Sequence, residues 1–380
     1  MLGRNIKGGI ILNKDFYLMY RDIPVALFNT DTGLYTVKHP SMLPFGVKED
    51  TSFTAIQKFC SNRILMMNRK YCKEILTSCG IDDQSDLNIC IVCHGLSFRD
   101  CYWIKEIGST LTWNDINLWN NEFSESISNT ALTGESTSVI INDTVFTGEL
   151  TNKGTRAKCF IRDNEKILLI KEETKREIFA ELTVSIIADA LGVPCTKYSY
   201  QSVKGRDCSV CEIQTDVNTE MLDAREVLLH FNESAFKLES DSYKYFVENG
   251  KDEFILMQLF DYITLNTDRN RDNFALMKKN GCVVGLYPLF DHDSCYKGKS
   301  INAHYFVTGV SFKETLNYLK KTYDLLKFET RINKVKEVIE EENFSNQLKL
   351  VLGEDYYNGI KERVNGILVN NDWKQVNPFS

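Results

Sequence analysis

The chain has 380 residues, of which 43% are hydrophobic, and it carries a formal net charge of -7. The whole acidic surplus lies in residues 201–261, which hold 13 acidic and 6 basic side chains. Such a surface offers no basic face to nucleic acid or to an anionic membrane, and no apolar run approaches the roughly 20 residues of a transmembrane helix. We therefore expect no direct nucleic-acid binding and no membrane insertion. The apolar stretch within residues 1–12 is too short for a secretory signal, so we expect a cytoplasmic protein.

The N-terminal third is predicted to form a domain of its own. Residues 10–12 and 25–29 are strand-like, and residues 52–78 include a helical stretch. Aromatic residues then cluster at Tyr102, Trp103, Trp113 and Trp119. We expect an accessory α+β domain over residues 1–125. The stretch 124–137 is rich in Ser, Thr and Asn, which is typical of a linker or an exposed loop.

Two cysteine pairs have the spacing of zinc ligands. Cys90 and Cys93 precede His94, and Cys208 and Cys211 form the second pair. Both pairs lie in apolar runs that are typical of strands, and no tight-turn glycine separates the cysteines of either pair. Free cysteine is among the most often buried residue types, so we interpret all four as buried structural thiols.

A hairpin and a helix are predicted next. Residues 158–162 and 166–170 flank an Asp-Asn turn signal, which predicts two antiparallel strands with Lys171 at the end of the second. A helix follows, with an apolar stripe at intervals of four: Ile178, Leu182, Ile186 and Ala190. Gly192 and Pro194 end it.

Lys171 on a strand and Glu181 on the next helix follow the order that protein kinases use at their ATP phosphates. Glu177 lies one helical turn before Glu181. The same order arises by chance in many α+β domains. The alternative interpretation is that the lysine and the glutamate are solvated surface charges.

A second polar motif lies further along the chain. Residues 254–265 are almost entirely apolar, which predicts a buried helix, and residues 266–273 are then charged or amide except for Thr267. Asn280-Gly281 is a strong hairpin turn signal, and a hairpin brings its two open ends together. Asn273 and Asp291 lie at those ends, and their oxygen atoms are suitable ligands for Mg²⁺. Asp268, five residues before Asn273, has the spacing of the kinase catalytic loop.

These residues resemble the HipA-like Ser/Thr kinases of bacterial toxin-antitoxin systems. The resemblance is most specific in the run Asp261-Tyr262-Ile263, Asn266-Thr267-Asp268-Arg269, Asn273-Phe274 and Pro288-Leu289-Phe290-Asp291. Leu169-Ile170-Lys171 and residues 177–181 also agree, and Gly95-Leu96-Ser97 with Tyr102-Trp103-Ile104 resembles a segment of clostridial relatives. The resemblance implies an α+β, bilobal protein-kinase-like fold, with a small antiparallel N-lobe at 126–213 and a mainly helical C-lobe at 214–380. Residues 311–380 are expected to be helical.

The resemblance also implies roles for individual residues. Asp268 would be the catalytic base, and Asn273 and Asp291 would hold Mg²⁺. Lys171 would contact the ATP phosphates and Glu181 would orient it. The remaining ATP contacts would come from the hinge residues Glu212 and Ile213 and from a phosphate-covering loop at Gly148 and Gly154. The expected activity is transfer of the ATP γ-phosphate to a protein hydroxyl, with a small DNA-binding antitoxin as an implied partner.

Two residues depart from the family pattern. Asn270 stands where relatives commonly have His, and Asp293 stands where many have a small residue. They leave open a second hypothesis, an ATP-binding regulator with weak catalysis. A third is a metal-dependent phosphohydrolase with a two-metal cluster. Its ligands would be Asp261, Asp268, Asp291, His292 and Asp293.

Overall fold

The structure is a computed structural model that describes residues 14–47, 52–139, 141, 145–298 and 300–369. Within these residues the chain forms two compact units. Unit 1 comprises the described residues of Met1–Glu173, Gln201–Leu222 and Lys279–Gly281, and unit 2 those of Thr174–Tyr200, Asp223–Lys278 and Cys282–Ser380. The predicted division at residues 125 and 213 stays a prediction, and the predicted strand at residues 10–12 lies outside the described residues.

The strands are short and mostly antiparallel. In chain order they are β1 (Asp15–Tyr20), β2 (Ile23–Asn29), β3 (Tyr35–Val37), β4 (Tyr102–Glu106), β5 (Lys158–Asp163), β6 (Lys166–Glu172), β7 (Tyr198–Val203), β8 (Arg206–Glu212), β9 (Thr219–Asp223), β10 (Ala275–Lys279), β11 (Cys282–Leu286), β12 (His304–Tyr305) and β13 (Val310–Ser311). One four-stranded sheet has the order β3-β2-β1-β4, and another has the order β5-β6-β8-β7.

The helices lie between and after these strands. They are α1 (Phe53–Ser61), α2 (Cys72–Ser78), α3 (Asp86–Val92), α4 (Trp113–Ile116), α5 (Glu125–Thr133), α6 (Lys175–Leu191), α7 (Ala224–His230), α8 (Asp241–Thr264), α9 (Phe312–Thr322), α10 (Glu329–Glu340), α11 (Glu342–Leu352) and α12 (Glu354–Val369). The predicted helical C-terminal region is therefore confirmed for its described part. None of the helices in the described ranges combines the length and the apolarity of a membrane span.

Unit 1 is organised around apolar side chains that line both of its sheets. One continuous cluster runs from Leu18 on β1 through Ile75 and Ile89 on helices to Ile170 on β6. The β5–β6 hairpin closes through a two-residue turn in which Asn164 has a φ of 55°, a conformation that Asn tolerates. The predicted hairpin is confirmed.

Two local predictions in unit 1 are wrong. The run around Cys90 and Cys93, predicted as a strand, belongs to α3, which begins where Ser85 accepts a hydrogen bond from the Asn88 N–H. All four residues of 89–92 are buried, so no polar position reveals the helical period. The predicted loop 124–137 contains α5, capped by Ser124 and ended by Gly134 at a φ of 79°.

The cysteines of both zinc-spaced pairs are buried, as predicted. The Cys93 thiol donates to the Cys90 carbonyl oxygen at 3.5 Å. Burial raises the pKa of Cys93 well above its ordinary value, which disfavours the thiolate that a zinc ligand needs. By contrast, Cys282 on β11 is exposed.

Helices dominate unit 2. Residues 254–265 of the chain are buried, which confirms the predicted buried helix at the end of α8. Helix α6 packs against α10, and α12 packs against α8. A capping box between Thr174 and Glu177 begins α6, and Gly192, with a φ of 73°, ends it.

The buried face of α6 differs from the predicted stripe. Ile186 is 43% exposed, whereas Glu177 and Glu181 are buried. A helix has 3.6 residues per turn, so a spacing of four drifts around its surface and does not stay on one face. The face that carries the two glutamates is the one that packs inward.

Candidate active site

The polar loop 266–273 begins where α8 ends. Leu265 adopts a left-handed conformation with a φ of 46°, which stops the helix. The N–H of Asn266 still donates to the Asp261 carbonyl oxygen at 3.0 Å, so the loop leaves the helix in a defined direction. Because α8 is buried at this end, the polar loop starts from a rigid support.

Amide side chains fold the loop around Asp268. Asn270 Nδ2 donates to Asp268 Oδ1 at 2.8 Å, and Asn273 Nδ2 donates to the Asp268 carbonyl oxygen at 2.8 Å. The Asp268 N–H in turn donates to Asn266 Oδ1 at 3.2 Å. Since Asn273 uses its nitrogen as a donor, its Oδ1 is the atom suited to a cation. Asn270, one of the two residues that depart from the family pattern, thus supplies the carboxylate with a hydrogen bond.

A fully buried ion pair lies beneath this loop. Arg269 Nη2 is 3.1 Å from Asp261 Oδ1, and both side chains are 0% exposed. Asp261 also accepts hydrogen bonds from Asn266 at 3.2 Å and from the Tyr305 hydroxyl at 2.5 Å. Burial alone would lower the pKa of Arg269, but the Asp261 carboxylate raises it above its ordinary value, so the guanidinium stays charged.

The two open ends of the β10–β11 hairpin meet at Arg269. The hairpin turns at Asn280 and Gly281, with φ values of 50° and 82°, as the turn signal predicted. Arg269 Nη1 donates to the Asn273 carbonyl oxygen at 2.7 Å, before β10, and to the Phe290 carbonyl oxygen at 2.9 Å, after β11. Asn273 and the residue next to Asp291 are therefore held by one nitrogen atom.

Negative charge accumulates around the predicted base. Burial raises the pKa of Asp268 above its ordinary value, and the carboxylates of Asp291 and Asp293 raise it further. The hydrogen bond from Asn270 acts in the opposite direction. A cation bound at Asn273 and Asp291 would offset this charge, and a ligand pair of one carboxylate and one amide suits Mg²⁺ that also binds nucleotide phosphates. The residues described contain no group of three His, Cys, Asp or Glu side chains that could hold a metal.

The segment after Asp291 connects the loop to α6. The N–H of His292 donates to Glu181 Oε2 at 3.0 Å, and Lys297 Nζ lies 2.9 Å from Glu177 Oε1. The Tyr296 N–H donates to the Thr264 carbonyl oxygen at 2.8 Å, at the end of α8. Both glutamates of the inward face of α6 therefore contact the segment that carries Asp291.

Gly298 fits closely against the start of the polar loop 266–273. A Cβ atom at this position would lie 3.0 Å from Leu265 Cβ, 3.0 Å from Thr267 Cγ2 and 3.2 Å from the Leu265 carbonyl oxygen. These distances are shorter than ordinary van der Waals contacts, so a larger residue at this position would require neighbouring atoms to shift.

Comparison with known proteins identifies the fold. No protein-family model matches the chain, and no curated protein matches it. Among solved structures, HipA of Shewanella oneidensis MR-1, in a complex with HipB and its operator DNA, matches with a TM-score of 0.59. That match covers 93% of this chain and 97% of the HipA chain at 11% sequence identity.

This chain has the HipA fold. The predicted kinase-like α+β fold class and the resemblance to HipA-like kinases are therefore confirmed at the level of the fold. The Helicobacter pylori proinflammatory kinase CtkA also matches, with a TM-score of 0.43 and 16% identity over 57% of this chain and 91% of that one. That score is too low to support a comparison of folds.

The predicted ATP-contacting residues other than Glu181 lie in unit 1 of this HipA fold. Lys171 is buried near the end of β6, and its Nζ is 2.7 Å from Glu173 Oε1, a partner that the sequence did not indicate. Glu212 is exposed at the end of β8 and pairs with Lys166 at 2.7 Å. The N–H of Ile213, the other predicted hinge residue, donates to the Ile167 carbonyl oxygen at 3.0 Å.

The predicted phosphate-covering loop is partly buried. Gly148 precedes a 3₁₀ turn, Glu149–Thr151, and a Cβ atom there would lie 2.8 Å from the Phe98 ring. Glu149 forms a buried ion pair with Arg69 at 3.0 Å. Gly154 has a φ of 105°, a conformation that strongly favours glycine. Close packing therefore explains the glycine at position 148, and the backbone conformation explains the glycine at position 154.

The Asp261–Arg269 pair is the part of the site that sequence reasoning missed. Asp261 is the acidic residue in an otherwise apolar helical run, and Arg269 directly follows the predicted base. A charge in a buried helix needs a partner of opposite charge, which is the signal that could have located the pair.

Proposed function

We propose that this chain is a HipA-like serine/threonine protein kinase that transfers the ATP γ-phosphate to a protein hydroxyl. The observation that carries the proposal is the joining of the Asp268–Asn273 loop to the segment that precedes Asp291, in a chain with the HipA fold. In this proposal the loop would supply a base and the hairpin ends would supply oxygen ligands, which is the set that phosphoryl transfer uses.

The proposed mechanism assigns one step to each group. The substrate hydroxyl oxygen attacks the γ-phosphorus, its proton passes to the Asp268 carboxylate, and the bond to the ADP oxygen breaks. Asn270 keeps the carboxylate oriented through its hydrogen bond to Oδ1. Asn273 and Asp291 would hold Mg²⁺, which supplies positive charge that offsets the phosphate charge when bound. Lys171 would contact the α- and β-phosphates.

Intact-mass spectrometry after incubation with Mg-ATP tests the proposal. Wild-type protein is expected to gain phosphate or to transfer it to proteins of a cell lysate. Asp268→Asn removes the proton acceptor and is expected to lower turnover by about 10²- to 10⁴-fold. Asp189→Asn, an exposed aspartate of α6, is the matched control and should retain activity.

Phosphoproteomes of cells that express wild type or Asp268→Asn would then identify the substrate. No phosphate on the protein or on any lysate protein would overturn the kinase proposal.

A regulator with weak catalysis is the second candidate function. The observation that favours it is the Asp293 charge, which acts on the predicted base and would oppose an incoming phosphate. Asn270 argues in the opposite direction, because it supports Asp268. Tight ATP binding without phosphate transfer would identify the regulator.

The surroundings of Asp261 argue against the phosphohydrolase hypothesis, which uses this residue as a metal ligand. Asp261 is 0% exposed and its oxygens accept hydrogen bonds from Arg269, Asn266 and Tyr305. A carboxylate bound in this way is not available to a metal ion, so the proposed two-metal cluster would lack one of its members.

We also propose a small DNA-binding antitoxin as a partner. The support is the HipA neighbour, which was solved with HipB and operator DNA. Co-purification of the chain with the product of an adjacent small gene would test this proposal, and a lone chain in such a pull-down would contradict it.

A further inference from the structure

We infer that Arg269, held by Asp261, is a positioning residue that places the two predicted Mg²⁺ ligands relative to each other. The inference rests on the proposed function. It assigns Arg269 no contact with substrate, nucleotide or metal.

Every donor of the Arg269 side chain is engaged. A guanidinium has five N–H donors in a fixed plane. Nε donates to Asp261 Oδ2 at 3.1 Å, and Nη1 donates to the carbonyl oxygens of Asn273 and Phe290 at 2.7 and 2.9 Å. Nη2 donates to Asp261 Oδ1 at 3.1 Å and lies 3.2 Å from His292 Nδ1.

The contacts fall into an anchor and two arms. The anchor is Asp261, which α8, Asn266 and Tyr305 fix in place. The first arm is the Asn273 carbonyl oxygen, and the second arm is the Phe290 carbonyl oxygen with the His292 ring, on either side of Asp291. Because the guanidinium is planar and rigid, it sets the separation of these two backbone segments.

His292 extends the second arm. Its Nδ1 faces the Arg269 donor, and its Nε2 lies 3.3 Å from Cys195 Sγ. Its N–H donates to Glu181 Oε2 at 3.0 Å. The residue directly after Asp291 is thus held at both its ring and its backbone, as the Phe290 carbonyl is on the other side.

A lysine cannot reproduce the arrangement. Its ammonium group keeps the charge opposite Asp261 but lacks the planar fork that spans both arms. Arg269→Lys therefore keeps the positive charge of the buried pair and removes the hydrogen bonds that span both arms. Asp261→Asn with Arg269→Gln is a second variant, which removes both buried charges together and avoids leaving one unpaired.

Arg63→Lys is the matched control. Arg63 is also buried, and its fork binds Asp100 at 2.6 and 2.7 Å and the Tyr102 carbonyl oxygen at 3.0 Å in unit 1. Arg63 has no proposed role in the reaction. Arg63→Lys therefore measures how far replacing a buried arginine with lysine by itself changes Mn²⁺ binding.

The experiment measures metal binding and local opening. Mn²⁺ binding is titrated by electron paramagnetic resonance in the presence of a non-hydrolysable ATP analogue, and hydrogen exchange is measured without metal. We expect Arg269→Lys and the double variant to weaken Mn²⁺ binding at least about tenfold, the usual effect of removing a group that orients metal ligands. Exchange should accelerate in both 266–273 and 288–293, and analogue binding without metal should stay unchanged.

The outcomes are distinguishable. Wild-type Mn²⁺ affinity in a folded Arg269→Lys or in the double variant would overturn the inference alone. A similar loss in Arg63→Lys would also overturn it, because the effect would then be general destabilisation. Failure of wild-type protein to bind Mn²⁺ with the analogue would overturn the proposed function together with the inference.

Discussion

Asp268 combines two properties that oppose each other. Its hydrogen bonds from Asn270 and Asn273 orient the carboxylate, while burial and the charges of Asp291 and Asp293 make the ionised form more costly. A base with a raised pKa holds its proton more strongly once it has accepted it, which favours proton transfer from a hydroxyl. The same raised pKa narrows the pH range in which the base is ionised.

The first prediction concerns pH. Because the pKa of Asp268 is raised, activity should fall on the acidic side as pH drops through a value above the ordinary 3.9 or so of aspartate. Asp293→Asn removes one of the charges that raise this pKa, so the acidic limb of kcat/KM should move to lower pH. A pH–rate profile measures it, with Asp189→Asn as the control. An unmoved limb in Asp293→Asn would contradict the electrostatic account.

The second prediction concerns Lys171, one of the predicted ATP contacts in unit 1. Lys171→Met should lower ATP affinity by roughly 10- to 100-fold, since a hydrogen bond to a charged group contributes about 1.5–3 kcal/mol. Mn²⁺ binding by the protein without nucleotide should be unaffected. Isothermal titration calorimetry measures both, and Lys70→Met, an exposed lysine paired with Glu172, is the control. Unchanged ATP affinity in Lys171→Met would show that this lysine is a structural charge.

At the scale of elements, α6 shows that a buried helical face can include charged residues. Glu177 and Glu181 share their face with the buried residues Val184 and Leu191, and Lys297 and the His292 N–H meet the two carboxylates. A count of hydrophobic residues at intervals of four selected the wrong side. The hairpin at Asn280-Gly281 was predictable for the opposite reason, since its conformation depends on two adjacent residues.

The third prediction concerns Gly298. In Gly298→Ala the new methyl group would meet Leu265 and Thr267, so the start of the catalytic loop must shift. We expect a stability loss of about 1–3 kcal/mol, which is typical of overpacking, together with a lower kcat. Chemical denaturation and initial rates measure the two effects.

Gly366→Ala is the control for this change. A Cβ atom there would lie 3.8 Å from the Tyr262 hydroxyl, an ordinary contact, and alanine favours the helix. Equal losses in the two variants would show that the close approach at Gly298 has no special effect.

At the scale of the whole molecule, the short polar loop and its hairpin indicated the fold more clearly than the rest of the sequence did. The HipA match has 11% identity, yet the residues of the loop and hairpin, together with a few shorter runs, indicated that fold. Their chemistry depends on a few side chains at fixed spacing, whereas a core accepts many apolar residues of similar volume. The helix α5 was missed because its buried face consists of small and polar residues such as Ser128 and Thr130 among Ile127 and Ala131.

Contacts between residues far apart in the sequence could not be predicted, for another reason. Arg69 and Glu149 are 80 residues apart in the chain, and Tyr305 lies 44 residues after the Asp261 that it contacts. Neither spacing follows any local period. Only the folded backbone brings such groups together, so the polar loop and its hairpin were predictable while the groups that support them were not.

Cys282 gives the hairpin a practical use. All twelve cysteines fall in the described part of the chain, and Cys282 alone is exposed there, with Cys195 intermediate. A thiol-reactive fluorophore applied to the native protein should therefore label mainly position 282, because modification requires access to the thiolate. The dye would sit on β11, the strand that leads to Asp291, and its emission could follow nucleotide and metal addition in real time without any engineered cysteine.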